Sequence, residues 1–198
     1  MSTTQFTELQ MDALRELANI GSGTASTALA AMLGRPVDIS VPNAQALPFA
    51  DAVDATGAAE RVVTGVVIGV NGALDATVLL LFGERDAATL CRLLGVDPDD
   101  EIAASALGEI GNIVGASYIN ALAAMTGLEL EPEPPLSATD MLGAIVASVL
   151  AGRAADDDIA LVLDSDLVVE GEDCSLSFLL VPSRGGVEEL LTRLGLGS

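Results

Sequence analysis

The chain has 198 residues, 51% of them hydrophobic, and its 8 basic and 29 acidic residues give a formal net charge of −21. A chain of this length and apolar content can bury a substantial core, as one domain or as two small halves that share a core. The charge excludes binding modes that neutralise nucleic-acid phosphates or lipid headgroups, and every apolar run is interrupted before the about 18 residues of a membrane span. The N-terminal sequence MSTTQ lacks the basic start of a signal peptide, so we expect a cytoplasmic protein that binds neither nucleic acid nor membrane.

The distribution of charge points to habitat rather than to a partner. All the basic residues are Arg, and the acidic residues are spread along the chain, with small clusters at 97–101 and 156–158. This pattern resembles the surfaces of proteins from extreme halophiles such as haloarchaea, and a mesophile with a GC-rich genome is the alternative. In molar salt the Debye length is about 3 Å, so long-range repulsion would not prevent binding to another acidic protein.

Few residues in the sequence are suited to covalent or metal chemistry. There is no His, and the two cysteines, Cys91 and Cys174, lie in apolar stretches. We interpret both as small buried hydrophobic residues. Without His and without a CxxC pair, a zinc site, a catalytic triad and an imidazole base are all but excluded.

The first predicted element is a long helix from Glu8 to Leu33. Thr7 suits the N-cap, and Gly34-Arg35-Pro36 suits the stop. At about 100° per residue, one side of this helix collects apolar and small residues: Leu14, Leu17, Ala18, Gly21, Ala25, Ala28, Leu29 and Met32. The opposite side displays Asp12, Glu16, Asn19 and Gly23.

Strands and a short helix are predicted for the rest of the first half. β-Branched runs punctuated by Gly indicate strands, with Asn71-Gly72 as a tight hairpin turn. The stretch Pro48 to Glu60 is rich in Asp and Gly and is expected to be loop-like. The predicted strands are Val37–Val41, Arg61–Val70 and Ala76–Phe82, and the predicted helix is Asp86–Leu94.

The second half repeats this order. Its long helix gathers apolar and small residues on one side: Leu107, Ile110, Gly111, Val114, Tyr118, Ala121, Leu122 and Met125. The other side displays Ser105, Glu109, Asn112 and Ala116. An insertion-like segment, Ala138 to Ala151, is predicted to form an additional helix. The predicted strands are Leu128–Leu130, Ile159–Leu163, Val168–Glu170 and Cys174–Val181, followed by a closing helix, Val187–Leu194.

The two long helices carry the same polar motif at a constant offset of 93 residues. Its pattern is [Asp/Ser]-x3-Glu-x2-Asn, followed by a Pro at a fixed distance; the copies are Asp12, Glu16, Asn19 and Pro42, and Ser105, Glu109, Asn112 and Pro135. Duplication of a half-domain is the simplest explanation. We therefore predict one α+β domain over residues 1–198, with repeats at about 8–95 and 101–196. A pseudo-twofold axis would join their hairpins into one antiparallel sheet with both long helices packed on it.

We interpret the motif as functional. The alternatives are that it is an ordinary solvated helix face, or that both copies were inherited through the duplication without having a function. Asn is a mediocre helix former, yet it lies mid-helix in both copies, and the spacing of three stacks it on the Glu. A Glu and an Asn on a convex helix cannot enclose a small molecule. They could enter the site of another protein, where the Asn amide can hold a water molecule and the Glu can pair with a cation.

The doubled motif resembles the signature of the CheC family of chemotaxis phosphatases, which also includes CheX and the phosphatase portion of FliY. The resemblance covers essentially the whole chain. It implies a hydrolase whose substrate is the aspartyl phosphate of the response regulator CheY. Asn19 and Asn112 would orient the hydrolytic water, and Glu16 and Glu109 would contact the active-site Lys of the regulator.

The resemblance also sets expectations for cofactors and partners. The chain would need no cofactor of its own, because Mg²⁺ and most of the charge stabilisation would belong to the regulator. CheD, a receptor deamidase, is a further candidate partner. Two complete motifs fit a CheC-like monomer with two sites better than a CheX-like dimer. Asp12 and Ser105 are interpreted as residues that start the helix or support the site from behind, and not as catalysts. Whether both sites act is left open, as is the alternative of a non-enzymatic adaptor for CheD or a motor-switch component.

Overall fold

The computed structural model describes residues 7–150, 159–169, 171–183 and 185–196. Within these ranges the helices are α1 (Glu8–Leu33), α2 (Phe49–Thr56), α3 (Glu84–Leu93), α4 (Ala103–Thr126), α5 (Leu142–Leu150) and α6 (Gly186–Arg193). The strands are β1 (Val37–Pro48), β2 (Val62–Gly72), β3 (Ala76–Gly83), β4 (Leu130–Pro132), β5 (Leu136–Met141), β6 (Ile159–Val169) and β7 (Glu172–Pro182). No helix in the described ranges is long and apolar enough to cross a membrane.

The ends of α1 lie where capping chemistry places them. The Thr7 hydroxyl accepts a hydrogen bond from the Gln10 N–H, and the Gln10 side chain accepts one from the Thr7 N–H, which completes a capping box. Gly34 ends the helix in the left-handed region, at a φ of 65°. The predicted bounds of α1 are confirmed.

All seven strands form one antiparallel sheet in the order β1-β6-β7-β3-β2-β4, with β5 also paired to β2. The centre is the β3–β7 pair, which joins the hairpin of the first half to that of the second. At the edges the halves exchange strands, since β1 pairs with β6, and β4 and β5 pair with β2. The α+β class and the antiparallel sheet are confirmed.

Helices cover both faces of the sheet. On one face, α1 and α4 pack against each other and on the strands, over a core that includes Ile110, Tyr118 and Phe178. On the other face, α2 and α5 pack over a second apolar cluster that includes Phe49, Leu142 and Leu179. The two long helices therefore lie on the sheet as predicted, and a third layer lies beneath it.

The prediction of a loop between Pro48 and Glu60 is wrong, because α2 occupies most of it. Phe49, Ala52 and Thr56 are buried at helical spacing, while Asp51 and Asp54 face solvent. The Asp-rich composition is that of the outer face of an amphipathic helix.

Two other predicted boundaries are wrong, because pairing between strands extends β-structure into residues whose local sequence predicts a helix or a turn. The predicted helix at 138–151 begins only at Leu142, since residues 136–141 form β5 against β2. Asn71 and Gly72 are not a hairpin turn; they end β2, paired with Glu131 and Leu130 of β4, and residues 73–75 make the connection to β3.

Strand β6 runs unbroken where the sequence predicts two strands. Asp164 interrupts the apolar run, but its carboxylate accepts hydrogen bonds from the Ser177 hydroxyl at 2.9 Å and the Asn43 amide at 3.2 Å. These neighbours on β7 and β1 satisfy a polar side chain within the sheet. At the edges, β1 extends past Pro42 with a register shift between Ser40 and Asn43, and a break over residues 133–135 separates β4 from β5.

Glycines on the long helices allow close packing. A Cβ at Gly111 would lie 2.8 Å from three carbons of Val66, a fully buried residue on β2. A Cβ at Gly21 would overlap the ring of Tyr118, the residue through which α4 packs on α1. By contrast, nothing lies within 4 Å of a Cβ at Gly23 on the outer face of α1.

We expect Gly111→Ala to lower the free energy of unfolding by about 1–3 kcal/mol, because the methyl group must displace buried strand β2. The matched control, Gly23→Ala, should raise it by about 0.5–1 kcal/mol through helix propensity. Urea unfolding midpoints at fixed salt measure both changes. Equal effects of the two substitutions would contradict the packing described for α4.

The prediction that Cys91 and Cys174 are buried is confirmed, and both are free thiols. Burial raises the pKa of the Cys91 thiol. Burial, together with Asp86, Glu172 and Asp173, raises the pKa of Cys174 from 9.0 to about 11. A nucleophilic cysteine needs a lowered pKa, so neither thiol is suited to that role.

The raised pKa of Cys174 makes the free energy of unfolding depend on pH. Because the folded state holds the thiol proton more tightly than the unfolded state, this stabilisation is complete below pH 9 and is lost as the pH rises through about 11. Denaturant unfolding between pH 8 and 11 should show a smaller loss of stability in Cys174→Ala than in the unsubstituted protein. Parallel curves for the two proteins would contradict the assigned shift.

Candidate functional site

The first motif lies on the outer surface of α1. Asp12, Glu16 and Asn19 are all exposed and follow one another along the helix. Arg15 forms an ion pair with Asp12 at 2.6 Å, and both side chains are more than half exposed. The buried residues Leu14, Leu17 and Ala18 hold this part of the helix on the core. The motif therefore projects from a rigid element.

The second motif lies on the outer surface of α4, in different surroundings. Glu109 and Ser105 are exposed, whereas Asn112 is half-buried. The position that matches Arg15 is Gly108, so no ion pair like that of the first motif forms beside Glu109. A Cβ at Gly108 would lie 3.5 Å from the hydroxyl oxygen of Ser137 on β5. The second motif thus has the edge of the sheet as a close neighbour.

The structure does not bring the four predicted residues together in one site. Glu16 and Asn19 form one pair on α1, and Glu109 and Asn112 form another on α4. The long helices pack against each other through their buried faces, which leaves the two pairs as separate surface features.

Several cavities among the described residues lie away from both pairs. The cavities of about 350 Å³ and 190 Å³ lie at the ends of β3 and β7 and beside β5, respectively. A third, of about 300 Å³, lies between α3 and the start of α4. None of their lining residues is a motif Glu or Asn. A side chain on a convex, solvated helix can act on a reactive centre only if another molecule supplies the walls around it.

Metal ligands are not clustered among the described residues. In the part of the chain that the structure describes, no group of three or more His, Cys, Asp or Glu side chains could hold a metal ion. The chemistry available at each motif is a carboxylate and an amide on one helix face. Such a pair can bind a cation and position a water molecule.

Sequence reasoning missed the contact between the second motif and β5. Gly108 and Ser137 are far apart in sequence, and β5 was predicted to be mostly helix. A signal was available in the constant offset of 93 residues. By this offset residues 130–141 of the second repeat correspond to strand β1 of the first, so they could have been predicted to form a strand.

Comparisons with known proteins identify the same family as the resemblance of the motif. The sequence model of the CheC-like family matches residues 9–44 and 102–136, the two segments that contain the motifs. The CheY-P phosphatase CheC of Bacillus subtilis (strain 168) is 33% identical over 198 residues, covering 95% of each chain.

Solved structures share the fold at lower identity. FliY from Thermotoga maritima superposes with a TM-score of 0.79 at 19% identity, covering 98% of this chain and 99% of that one. The complex of CheX and CheY with BeF3 and Mg²⁺ from Borrelia burgdorferi matches with a TM-score of 0.51 at 16% identity, covering 85% of this chain and 99% of the matched chain. Family model, full-length relative and fold agree, and the chain belongs to the CheC-like family.

Proposed function

We propose that the protein is a phosphatase that hydrolyses the aspartyl phosphate of the response regulator CheY. The observation that carries this proposal is the pair of Glu and Asn side chains that recurs on the outer faces of two long helices. The full-length relative at 33% identity is named as a CheY-P phosphatase. A protein with this fold also occurs in a solved complex with CheY, which supports CheY as the partner.

In the proposed mechanism each motif enters the phosphorylated site of the regulator. The amide of Asn19 or Asn112 accepts and donates hydrogen bonds, so it can hold a water molecule in line with the phosphorus without changing its own protonation. Orientation of the attacking water is a principal contribution that a protein makes to phosphoryl transfer. The carboxylate of Glu16 or Glu109 pairs with the active-site Lys of the regulator and fixes the docking register.

The remaining parts of the reaction belong to the regulator. It supplies the phosphoryl group, the Mg²⁺ and the Lys, while this chain needs no cofactor of its own. This division matches an exposed site without walls, since the walls form only when the two proteins meet. It also predicts that water is excluded only within the complex.

We expect one monomer to carry two sites, one on each long helix, that act independently of each other. They lie on different helices, and their surroundings differ: Glu16 is next to the Arg15–Asp12 ion pair, whereas Asn112 is half-buried and β5 lies against Gly108, one turn before it. Single substitutions should therefore give unequal losses rather than equal halves.

The doubly substituted protein Asn19→Ala/Asn112→Ala is expected to lose the acceleration of CheY-P decay, by at least about a hundredfold, because no amide is left to orient the water. Decay of phosphorylated CheY with Mg²⁺ measures the loss, and circular dichroism checks the fold. The matched control is Asn120→Ala, which removes an exposed Asn of α4 outside the motif. Wild-type decay rates with the double variant would overturn the assigned mechanism.

Glu16→Gln together with Glu109→Gln is expected to raise KM by about tenfold with a smaller change in kcat, because the docking charge is lost while the amides remain. The measurement is CheY-P decay over a range of regulator concentrations. Neutralising Asp12 by Asp12→Asn, which removes a carboxylate held by Arg15, is the control. If this control raised KM as much as the double Glu variant, the pairing role of the two Glu residues would be wrong.

A second candidate function is that of a docking adaptor for CheD or a motor-switch component. The observation that favours it is β5, an edge strand whose six residues are all exposed, with Leu136 at 74%. An adaptor without catalytic activity would leave the lifetime of CheY-P unchanged. Its stoichiometric binding to the partner would survive loss of both motif pairs, which separates it from the phosphatase.

A further inference from the structure

Exposed aliphatic side chains lie on the same face of α1 as the first motif. Leu9 is 64% exposed and Ile20 is 39% exposed. At about 100° per residue, both lie within about 40° of Glu16 around the helix. The rise of about 1.5 Å per residue places Leu9 about 10 Å before Glu16 along the axis and Ile20 about 6 Å after it. We call Leu9 and Ile20 the aliphatic pair, and Glu16 lies between its two members.

The second motif has a matching exposed side chain at its N-terminal side. The constant offset of 93 residues relates Leu9 to Ile102 and Ile20 to Ile113. Ile102, in a helical backbone conformation directly before α4, is 56% exposed. Ile113 is half-buried and packs against the core. The second face therefore exposes one large aliphatic side chain where the first exposes two.

Recurrence distinguishes Leu9 and Ile102 from ordinary exposed hydrophobic residues, which are common singly on protein surfaces. Other positions that are exposed in both α1 and α4 carry polar or small side chains: Asp12 and Ser105, Glu16 and Glu109, Thr27 and Asn120, and Ala31 and Ala124. A large aliphatic side chain in water adds no stability of its own, because the hydrophobic effect acts only when apolar surface is removed from water. Its presence in both copies therefore indicates a surface that another molecule covers.

The small size of the motif leads to the same conclusion. In a standard interface each partner buries about 800 Å², and one Glu and one Asn side chain supply only a small part of that area. The aliphatic pair spans about 16 Å along α1, and a folded domain of about 100 residues has a radius of gyration of about 13 Å. A domain that places its reactive centre over Asn19 therefore also covers Leu9 and Ile20.

We propose that Leu9 and Ile20, together with Ile102 at the second motif, are the apolar docking contacts for the phosphorylated receiver domain of CheY. This inference rests on the proposed function. The surface is continuous with the Glu and Asn that the proposed function places in the phosphorylated site, so the occupant is the same domain. The Glu residues fix the docking register by charge pairing, and the aliphatic side chains add affinity because their apolar area is removed from water. The complementary surface of the receiver domain is apolar and borders its phosphorylated site.

The test uses one background for each site. Asn112→Ala leaves only the first site active, and Asn19→Ala leaves only the second. Leu9→Gln and Ile102→Gln are introduced into both backgrounds, because Gln is similar in size to Leu and Ile, is polar and is a good helix former. Ile20 is left unchanged, because it adjoins Asn19 in the chain and its substitution would not separate docking from chemistry.

Two further kinds of variant serve as controls. Met32 is 37% exposed on α1, but helical phase places it on the side opposite to Glu16, so Met32→Gln makes the same kind of change away from the docking surface. Leu9→Ile and Ile102→Leu exchange the residues of the two copies and keep the aliphatic character. Circular dichroism and urea unfolding midpoints check that every variant folds.

In the Asn112→Ala background, Leu9→Gln is expected to raise KM for CheY-P about tenfold with kcat within about twofold, because docking is lost and orientation of the water is kept. In the Asn19→Ala background, Ile102→Gln should do the same. Leu9→Ile and Ile102→Leu should recover most of the affinity, and Met32→Gln should change KM by less than about twofold. If Leu9→Gln and Ile102→Gln act equally in both backgrounds, or no more strongly than Met32→Gln, the docking proposal is wrong.

Binding without turnover separates docking from catalysis. CheY with BeF3 and Mg²⁺, the form in the solved CheX complex, carries no phosphoryl group to hydrolyse. The protein with both Leu9→Gln and Ile102→Gln is expected to bind this form about tenfold more weakly than the unsubstituted protein. Equal Kd values would overturn the docking proposal, while the proposed function would stand if the unsubstituted protein accelerates CheY-P decay.

The remaining outcomes also decide between the proposals. If the unsubstituted protein binds the BeF3 form but leaves CheY-P decay unchanged, the proposed function fails, and the same comparison of Kd values decides the docking proposal. If the double variant loses a dimer detected by sedimentation and binds CheY as before, a second copy occupies this surface and the docking proposal is wrong. If the unsubstituted protein neither binds CheY nor accelerates decay, both proposals fail.

Discussion

The pairing of β3 with β7, buried between two helical layers, is the constraint on which the rest of the structure depends. Every residue of β3 is buried, and the register places Leu79 opposite Leu179 and Leu80 opposite Phe178. Because side chains alternate across the sheet, this one pair of strands contributes to both apolar clusters. Each half alone would leave the hydrogen-bonding edge of a buried strand unpaired, so we expect the halves to be stable only together. As a result, each long helix buries one face against the sheet and the other long helix.

The functional consequence is that both motifs face outward. With the apolar stripes of α1 and α4 buried against the sheet and each other, Glu16 and Glu109 remain on solvent-facing surfaces. A surface pair has no means to desolvate a substrate, which is why the proposed reaction needs a second protein to complete the site. Fold alone does not settle activity, since one architecture hosts different functions. The displayed side chains and the family relationship carry the proposal.

Local chemistry made much of this predictable. Thr7 and Gly34 define the ends of α1 through capping, and the helical phase of Glu16 and Asn19 predicts their exposure. The repeated motif predicts two such faces. Local pattern could not show where tertiary packing decides the structure. The apolar face of α2 was not recognised because Asp residues alternate with it, and Met32, on the apolar side of α1 by helical phase, is 37% exposed near the end of that helix.

The difference between the two faces was equally beyond local pattern. Asn112 is half-buried although its helical phase matches that of Asn19, and the neighbouring strand β5 pairs with a strand of the other half. The repeat therefore predicts where each motif residue lies on its helix, but it does not predict which other residues surround it. Each long helix is flanked by a strand of its own half, β1 beside α1 and β5 beside α4, and such flanks can diverge while the motif is retained.

The most direct test of the central claim is catalytic turnover. The measurement is the decay of phosphorylated CheY, with Mg²⁺ and high potassium chloride, at several concentrations of this protein far below that of the regulator. A phosphatase increases the decay rate in proportion to its own concentration, with each chain serving many regulators. Decay that is unchanged, or that changes only near stoichiometric amounts of protein, would contradict catalysis and favour a binding role.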